Sequence, residues 1–275
     1  MIDRVVRVVA ASRLHFGMLS VNQPQVRRYG GLGAMVDAPG LELVIRPAAR
    51  LEASGPLADR ALSAARLAAR CFGASDETGG PACRIDVLRT APLHVGLGTG
   101  TQLAMAVAAG LNAWLEVAPL PPEQLAQCVG RGKRSAIGLY GFAHGGLRYE
   151  TGKSTEEEIA PLVNRVELPT EWRFVLVRPM CQCGLCGEAE RDAFARLPPV
   201  PVERTETLYR EAADRLMPAA AAGRFDDFSE SLYQFGYLAG LGFAERQGGA
   251  FHGERLASLV ERIRSCGVRG VGQSS

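Results

Sequence analysis

The spacing of apolar and polar positions gives this chain a first half of mixed elements and a second half of helices. The opening run M-I-D-R-V-V-R-V-V-A alternates charge with valine, which predicts a strand over Val5–Val9 and not a secretion signal. Leu41–Ile45 and the alternating Cys83–Leu88 predict two more strands. Leu62, Ala65, Ala69 and Phe72 recur at helical spacing, as do Leu103, Val107, Leu111 and Trp114. Pro121-Pro122-Glu123 opens a helix that turns Leu125, Cys128 and Val129 inward and stops near Gly130–Gly132. Ser135 to Glu150 reads as a loop followed by a strand, and Thr155–Glu158 as an acidic surface segment. Trp172–Val177 reads as a buried strand ended by Pro179. Pro198, Pro199 and Pro201 punctuate the chain. After them Leu208/Ala212/Leu216, Phe228/Leu232/Phe235 and Leu256/Leu259/Ile263 predict three helices. Mixed elements followed by helices favour an α+β fold over a regular βαβ array. The division falls near residue 165, giving units 1–165 and 166–275.

The segment from Pro92 to Gln102 reads P-L-H-V-G-L-G-T-G-T-Q and leads straight into the helical pattern at Leu103. Gly96, Gly98 and Gly100 let a ligand approach bare backbone, and Thr99 and Thr101 add hydroxyls. Bare N–H groups at a helix N-terminus make an anion site, phosphate being the usual occupant. The segment has no Lys-Ser/Thr pair, so it is not a Walker A loop, and G-x-G-x-G is not the dinucleotide fingerprint. The plain alternative is a tight turn that merely starts a helix.

Other candidates keep two readings each. Arg13 and His15, two apart on an extended strand, point the same way; they suit an anionic substrate or form a surface pair. Arg131, Lys133, Arg134 and Ser135 either complement a helix C-terminus or clamp phosphate. His94 and His144 flank glycine segments as ligand contacts or structural residues. Cys181, Cys183 and Cys186 could hold zinc only with a fourth ligand, and no second Cys pair or His pair follows. No nucleophile elbow appears.

Composition narrows the classes. With 47% hydrophobic and 22% charged residues the chain can bury a substantial core. A net charge of +2 without a basic block argues against a nucleic-acid partner. No run of about 18 apolar residues predicts a membrane span. Seven cysteines without a leader fit reduced thiols and a cytoplasmic location.

Five ordered motifs carry a family resemblance: R-L-H-F-G from Arg13, R-R-Y-G-G-L-G from Arg27, H-V-G-L-G-T-G-T-Q from His94, S-x-x-G and F-x-x-G-G between Ser135 and Gly146, and G-V-G-Q-S from Gly270. Together they resemble the beta-ribofuranosylaminobenzene 5'-phosphate synthases (beta-RFAP synthases), a branch of the GHMP kinase superfamily. The resemblance implies a two-domain α+β fold, a ribosomal-protein-S5-like domain followed by an α+β domain. It implies condensation of phosphoribosyl pyrophosphate with a para-substituted benzoate, releasing CO₂ and pyrophosphate, in tetrahydromethanopterin biosynthesis. Mg²⁺ is the implied cofactor and a homodimer the implied assembly.

On this resemblance His15, Arg13 and Arg134 are the catalytic candidates. Gly96, Leu97, Gly98, Thr99, Gly100, Thr101 and Gln102 are expected to bind phosphate or pyrophosphate, with Arg28, Gly30, Gly31, Lys133 and Ser135. G-L-C-G-E-A-E resembles a G-L-S-G-x-x-E stretch, which makes Glu188 or Glu190 the candidate for Mg²⁺ or a substrate hydroxyl. The family places further strands and helices after G-V-G-Q-S, so elements beyond Ser275 are expected to be missing; a flexible tail is the plain alternative. The alternative is an ATP-dependent GHMP small-molecule kinase. Several such kinases use a catalytic Asp in the region between Gln127 and Tyr149, where this chain has no Asp and no Glu.

Overall fold

A computed structural model describes residues 4–74, 80–178 and 196–274. Its spine is the antiparallel pair β1 (Val6–Ser20) and β2 (Tyr29–Pro47). The strands predicted at Val5–Val9 and Leu41–Ile45 are portions of these longer ones. Irregular pairing between Ala10 and Ser12, and between His15 and Gly17, shifts the alternation and hides their continuity in the sequence. β3 (Glu52–Ser54) runs parallel to β4 (Cys83–Arg89), which pairs with the 42–47 half of β2. β5 (Leu147–Glu150) pairs with the 31–34 half, and β6 (Leu162–Val166) pairs with β5.

Two cores flank this sheet. Leu43, Ile45, Ile85 and Val87 pack with α1 (Ala58–Cys71) and α2 (Thr99–Trp114). Ala61, Ala65 and Ala68 keep α1 slim, and Gly110 lets α2 close on Ile45, since a Cβ there would lie 2.8 Å from Ile45 Cδ1. The second core joins Leu14, Phe16, Leu32 and Tyr149 of the sheet to Leu208, Leu216, Phe228, Leu232 and Phe235. It therefore spans the division at residue 165. Those later residues lie on α5 (Val202–Arg210), on a π-helical turn at Glu211–Leu216, and on α7 (Phe225–Leu241). The π turn runs into α6 (Met217–Ala221), where Pro218 has no N–H to continue regular bonding. The chain continues through α8 (Ala244–Gln247) and α9 (Glu254–Ser265).

Three sequence expectations are corrected. Residues 135–150 hold a helix, α4 (Ile137–His144), in front of β5, and not only a loop. The short α3 (Pro122–Cys128) lies before it, as expected. Trp172–Val177 forms no paired strand among the described residues: Trp172 sits against Phe225 and Phe228, Phe174 stacks on Phe16, and Val175 is 85% exposed. Trp172 and Phe174 pack this segment against the second core. Finally, Cys71 at the end of α1 and Cys128 at the end of α3 form a disulfide, where reduced thiols were expected. Cys83 is buried as a free thiol, and burial pushes it up to about 11. No helix among the described residues is long and apolar enough to cross a membrane.

Candidate active site

Three glycines of the loop face three different parts of the fold. A Cβ on Gly96 would lie 2.2 Å from the Ser274 carbonyl oxygen. One on Gly98 would lie 3.0 Å from Arg13 Cβ and Nε, and one on Gly100 would lie 3.8 Å from Arg131 Nη2. Gly96 and Gly98 also have positive φ, at 77° and 64°. Gly98 is the N-cap of α2, and its carbonyl accepts from the N–H groups of Thr101 and Gln102. The first-turn N–H groups of Thr99 and Gly100 have no intrahelical acceptor, which leaves α2 a positive end beside Arg13 and Arg131.

The side chains of the loop serve its architecture. The Thr99 hydroxyl donates to the Pro92 carbonyl at 2.8 Å and closes the loop. Leu97 is buried in the second core, and its carbonyl accepts from the Arg13 N–H at 3.0 Å. Gln102 donates to the Gly138 carbonyl at 2.8 Å, tying α2 to α4, while the Thr101 methyl packs beside Gly138. What the loop offers an anion is therefore backbone, with cations supplied by other elements.

β1 brings Arg13 and His15 to this loop. Arg13 pairs with Met35 in the sheet, and its side chain runs between Gly98 and Gly138. His15 is 1% exposed. Burial first, and the Arg13 charge second, hold its imidazole well below the ordinary histidine range, so it is neutral at physiological pH. It serves as an uncharged polar group beside a cation. Its backbone N–H donates to Ser274 Oγ at 2.9 Å, and the Ser274 hydroxyl donates to the Gly96 carbonyl at 2.5 Å. One hydroxyl from residue 274 thus joins β1 to the loop. The G-V-G-Q-S motif was visible in the sequence, but its reach across to His15 was not.

Glu150 was missed by sequence reasoning. It is fully buried at the end of β5, and both its carboxylate oxygens accept from the Ala136 N–H, at 3.1 and 2.8 Å. Ala136 is the N-cap of α4 and has no side-chain cap of its own, so the strand supplies the cap. Burial pushes the Glu150 carboxyl up to about 7, against the opposing pull of Ser135, the Ala136 N–H and Arg13. The L-R-Y-E strand carried the signal: alternation puts Glu150 on the face shared with Arg148, and both are buried. Glu150 pairs with Gly31 in the sheet. A Cβ on Gly31 would lie 3.3 Å from His15 Nε2 and 2.3 Å from the Gly17 carbonyl oxygen. Bare Gly31 therefore makes room between the His15 ring and Glu150.

The remaining candidates divide. Ser135 is engaged by the Glu150 carboxylate and accepts from the Ile137 N–H at 3.3 Å, so it belongs to the α4 cap. Gly30 is required by packing, since a Cβ there would lie 2.6 Å from the Gly152 nitrogen. Arg28 is exposed and exchanges backbone bonds with Lys153. Lys153 is pushed down by burial first, then by the charges of Arg28 and Lys133, which places those cations in one electrostatic neighbourhood. Arg134 is half-buried in the same stretch, between Lys133 and the α4 cap. Arg131 also is half-buried, and burial followed by the Arg60 charge lowers its pKa. His94 and His144 are exposed. Glu188, Glu190 and the Cys181/Cys183/Cys186 cluster lie outside the described residues. Among the described residues no group of three or more His, Cys, Asp or Glu could hold a metal ion.

The comparisons agree with this geometry. The family model for the GHMP kinases N terminal domain matches residues 59–146, which contain the loop, α2 and α4. The beta-ribofuranosylphenol 5'-phosphate synthase of Archaeoglobus fulgidus is 29% identical over 83% of this chain and 74% of its own length. That of Methanothermobacter thermautotrophicus is 27% identical over 96% and 84%. Among solved structures, Streptococcus pneumoniae phosphomevalonate kinase superposes with a TM-score of 0.60 at 12% identity, covering 96% of this chain and 97% of its own. Methanococcus jannaschii mevalonate kinase gives 0.59 at 10% identity, covering 98% and 88%. The kinases share the fold, whereas the synthases share the sequence. Over most of its length the chain is similar to the beta-ribofuranosylphenol 5'-phosphate synthases, and it carries a match to the GHMP kinases N terminal domain.

Proposed function

We propose that this enzyme joins phosphoribosyl pyrophosphate to 4-hydroxybenzoate or 4-aminobenzoate and releases CO₂ and pyrophosphate, a step of tetrahydromethanopterin biosynthesis. The observation that carries this reading is the pairing of Arg13 with the bare Gly98 backbone at the positive end of α2. The ring carbon bearing the carboxylate attacks C1 of the ribose. The C1–pyrophosphate bond breaks, and loss of CO₂ restores the aromatic ring. The carbon nucleophile belongs to the substrate, so no protein nucleophile is required. Charge grows on the departing pyrophosphate, where preorganised N–H donors and guanidinium groups are most effective. Arg13 and the first turn of α2 meet that charge, and Arg28, Lys133, Arg134 and Lys153 raise the local positive potential. His15, neutral and buried, lies beside the reacting carbon as a hydrogen-bonding group. Holding both substrates in line supplies much of the remaining acceleration. Magnesium comes chelated by the pyrophosphate oxygens, the usual way this ion meets phosphate substrates.

A thermal-shift comparison with Mg²⁺ tests the reading. Phosphoribosyl pyrophosphate at about 100 times its Kd stabilises the native state by roughly 2.7 kcal/mol. CO₂ release from each benzoate then distinguishes the acceptor. A shift with ATP alone would replace the synthase with a kinase.

A further inference from the structure

Arg13 is one cation placed between two anions. On one side its side chain lies against Gly98, at the proposed phosphate site; on the other its Cδ would lie 3.6 Å from a Cβ on Gly138, in the first turn of α4, whose N-cap N–H the buried Glu150 carboxyl holds, and its charge acts on that carboxyl. Glu150 is fixed there, because both its oxygens hold the α4 N-cap and its strand pairs with Gly31. An ionised carboxylate buried so close opposes any phosphate that shares Arg13.

We infer that Glu150 is a positioning residue that couples anion binding at the glycine loop to the uptake of one proton. With the loop empty, Arg13 favours the charged carboxylate. A bound phosphate draws on the same guanidinium and adds its own negative field, so Glu150 takes a proton from solvent. The neutral carboxyl still accepts from the Ala136 N–H, so α4 stays capped and Gly138 stays tied to Gln102. The groups acting on Glu150 are Arg13 from β1, Ser135 and Tyr140 from the α4 region, and Lys153 following the strand, with Arg148 on its own face of β5 and the His15 ring on the far side of Gly31. His15 is held neutral, and Arg148, pushed down to about 10, remains protonated in the range concerned. Glu150 itself titrates at about 7, where a ligand can move it.

The inference rests on reading the loop as a phosphate site, and the experiment separates the two. Sulfate, dianionic across the range, and phosphoribosyl pyrophosphate are titrated calorimetrically into the full chain between about pH 6 and 9, in buffers of different ionisation heat. Proton uptake with sulfate is expected just above neutrality. Affinity should fall as pH rises through that window, by about tenfold for each unit by which ligand raises the carboxyl pKa. Glu150→Gln, which keeps an oxygen for Ala136, should bind sulfate with no uptake and a flat pH profile. Glu150→Asp should restore part of the uptake. Sulfate binding without uptake in the unaltered protein, or equal uptake in Glu150→Gln, overturns the coupling and leaves the phosphate site standing. If Glu150→Gln fails to fold, the unaltered protein and Glu150→Asp still decide. Failure of both ligands to bind overturns the phosphate site and the coupling together.

Discussion

Gly98→Ala probes the joint between β1 and the loop. Gly98 has a φ of 64°, and an alanine in that left-handed conformation costs about 1–2 kcal/mol. The new methyl would stand 3.0 Å from Arg13 Cβ, which cannot retreat easily because Arg13 pairs with Met35 in the sheet. It would also stand 3.0 Å from Arg13 Nε, so the guanidinium must shift at the end of α2 by roughly a few tenths of an ångström. Removing one well-placed donor to a developing anion outright costs about 10²–10³ in turnover, so displacing it should lower kcat by up to that order. Gly100→Ala is the stability control. Gly100 lies in the first turn of α2 with no positive φ, and its nearest neighbour would be Arg131 Nη2 at 3.8 Å. Replacing glycine in a helix there should stabilise the fold by up to about 1 kcal/mol. Denaturant titration and CO₂-release kinetics read both variants. A Gly98→Ala protein as stable and as active as the parent would refute the geometry of this joint.

Further outcomes follow from other contacts. Glu150 titrates at about 7 in the fold against an ordinary 4.5, so its stabilising contribution is full below pH 4.5 and is lost as pH rises through 7. Glu150→Gln should lack that decline, a difference of about 3 kcal/mol between the ends of the window, measured by denaturation at a series of pH values. Because His15 is held well below its usual range, the pH profile of kcat/KM should carry no inflection from it between pH 6 and 8, while His15→Ala should still cut kcat strongly. An inflection near neutrality that disappears in His15→Ala would contradict this. Cys71→Ser should cost about 4 kcal/mol by the chain-entropy model, since the disulfide closes a loop with a sequence separation of 57. Equal melting with and without reductant would show that the bridge does not form. Thr99→Val, which removes the hydroxyl held by Pro92, should cost about 1 kcal/mol and loosen the loop, read as faster amide exchange at residues 96–100.

Elements with strong local patterns were legible before the fold was known. α1 and α2 announced themselves through the spacing of Ala65 and Ala69 and of Leu103, Val107 and Leu111, and the glycine loop through its own residues. Features that depend on distant partners were not. α4 contains Gly138 and Gly141, and its N-cap partner is Glu150, which lies beyond its own C-terminus in sequence. Gly141 reads locally as a helix breaker, yet a Cβ there would lie 2.3 Å from Met35 Sδ, so packing against β2 selects it. Trp172–Val177 misled in the other direction. Its apolar run suited a buried strand, but it finds aromatic neighbours and no hydrogen-bonding strand among the described residues. The structural contacts of Ser135 and Gly30 were also hidden, because the helix cap that Ser135 joins and the backbone that crosses Gly30 both lie far away in sequence or outside any local pattern.

The contacts of Ser274 have a consequence for the order of folding. They join His15 to a residue 259 positions away, and Gly96 to one 178 away. Closing loops of that length is entropically slow, and contacts of high sequence separation form late. The first core, drawn from residues 10–160, can condense while residue 274 is still searching for its place. A chain at that stage has its first core but an untied glycine loop, so the loop closes only after the second half of the chain has docked.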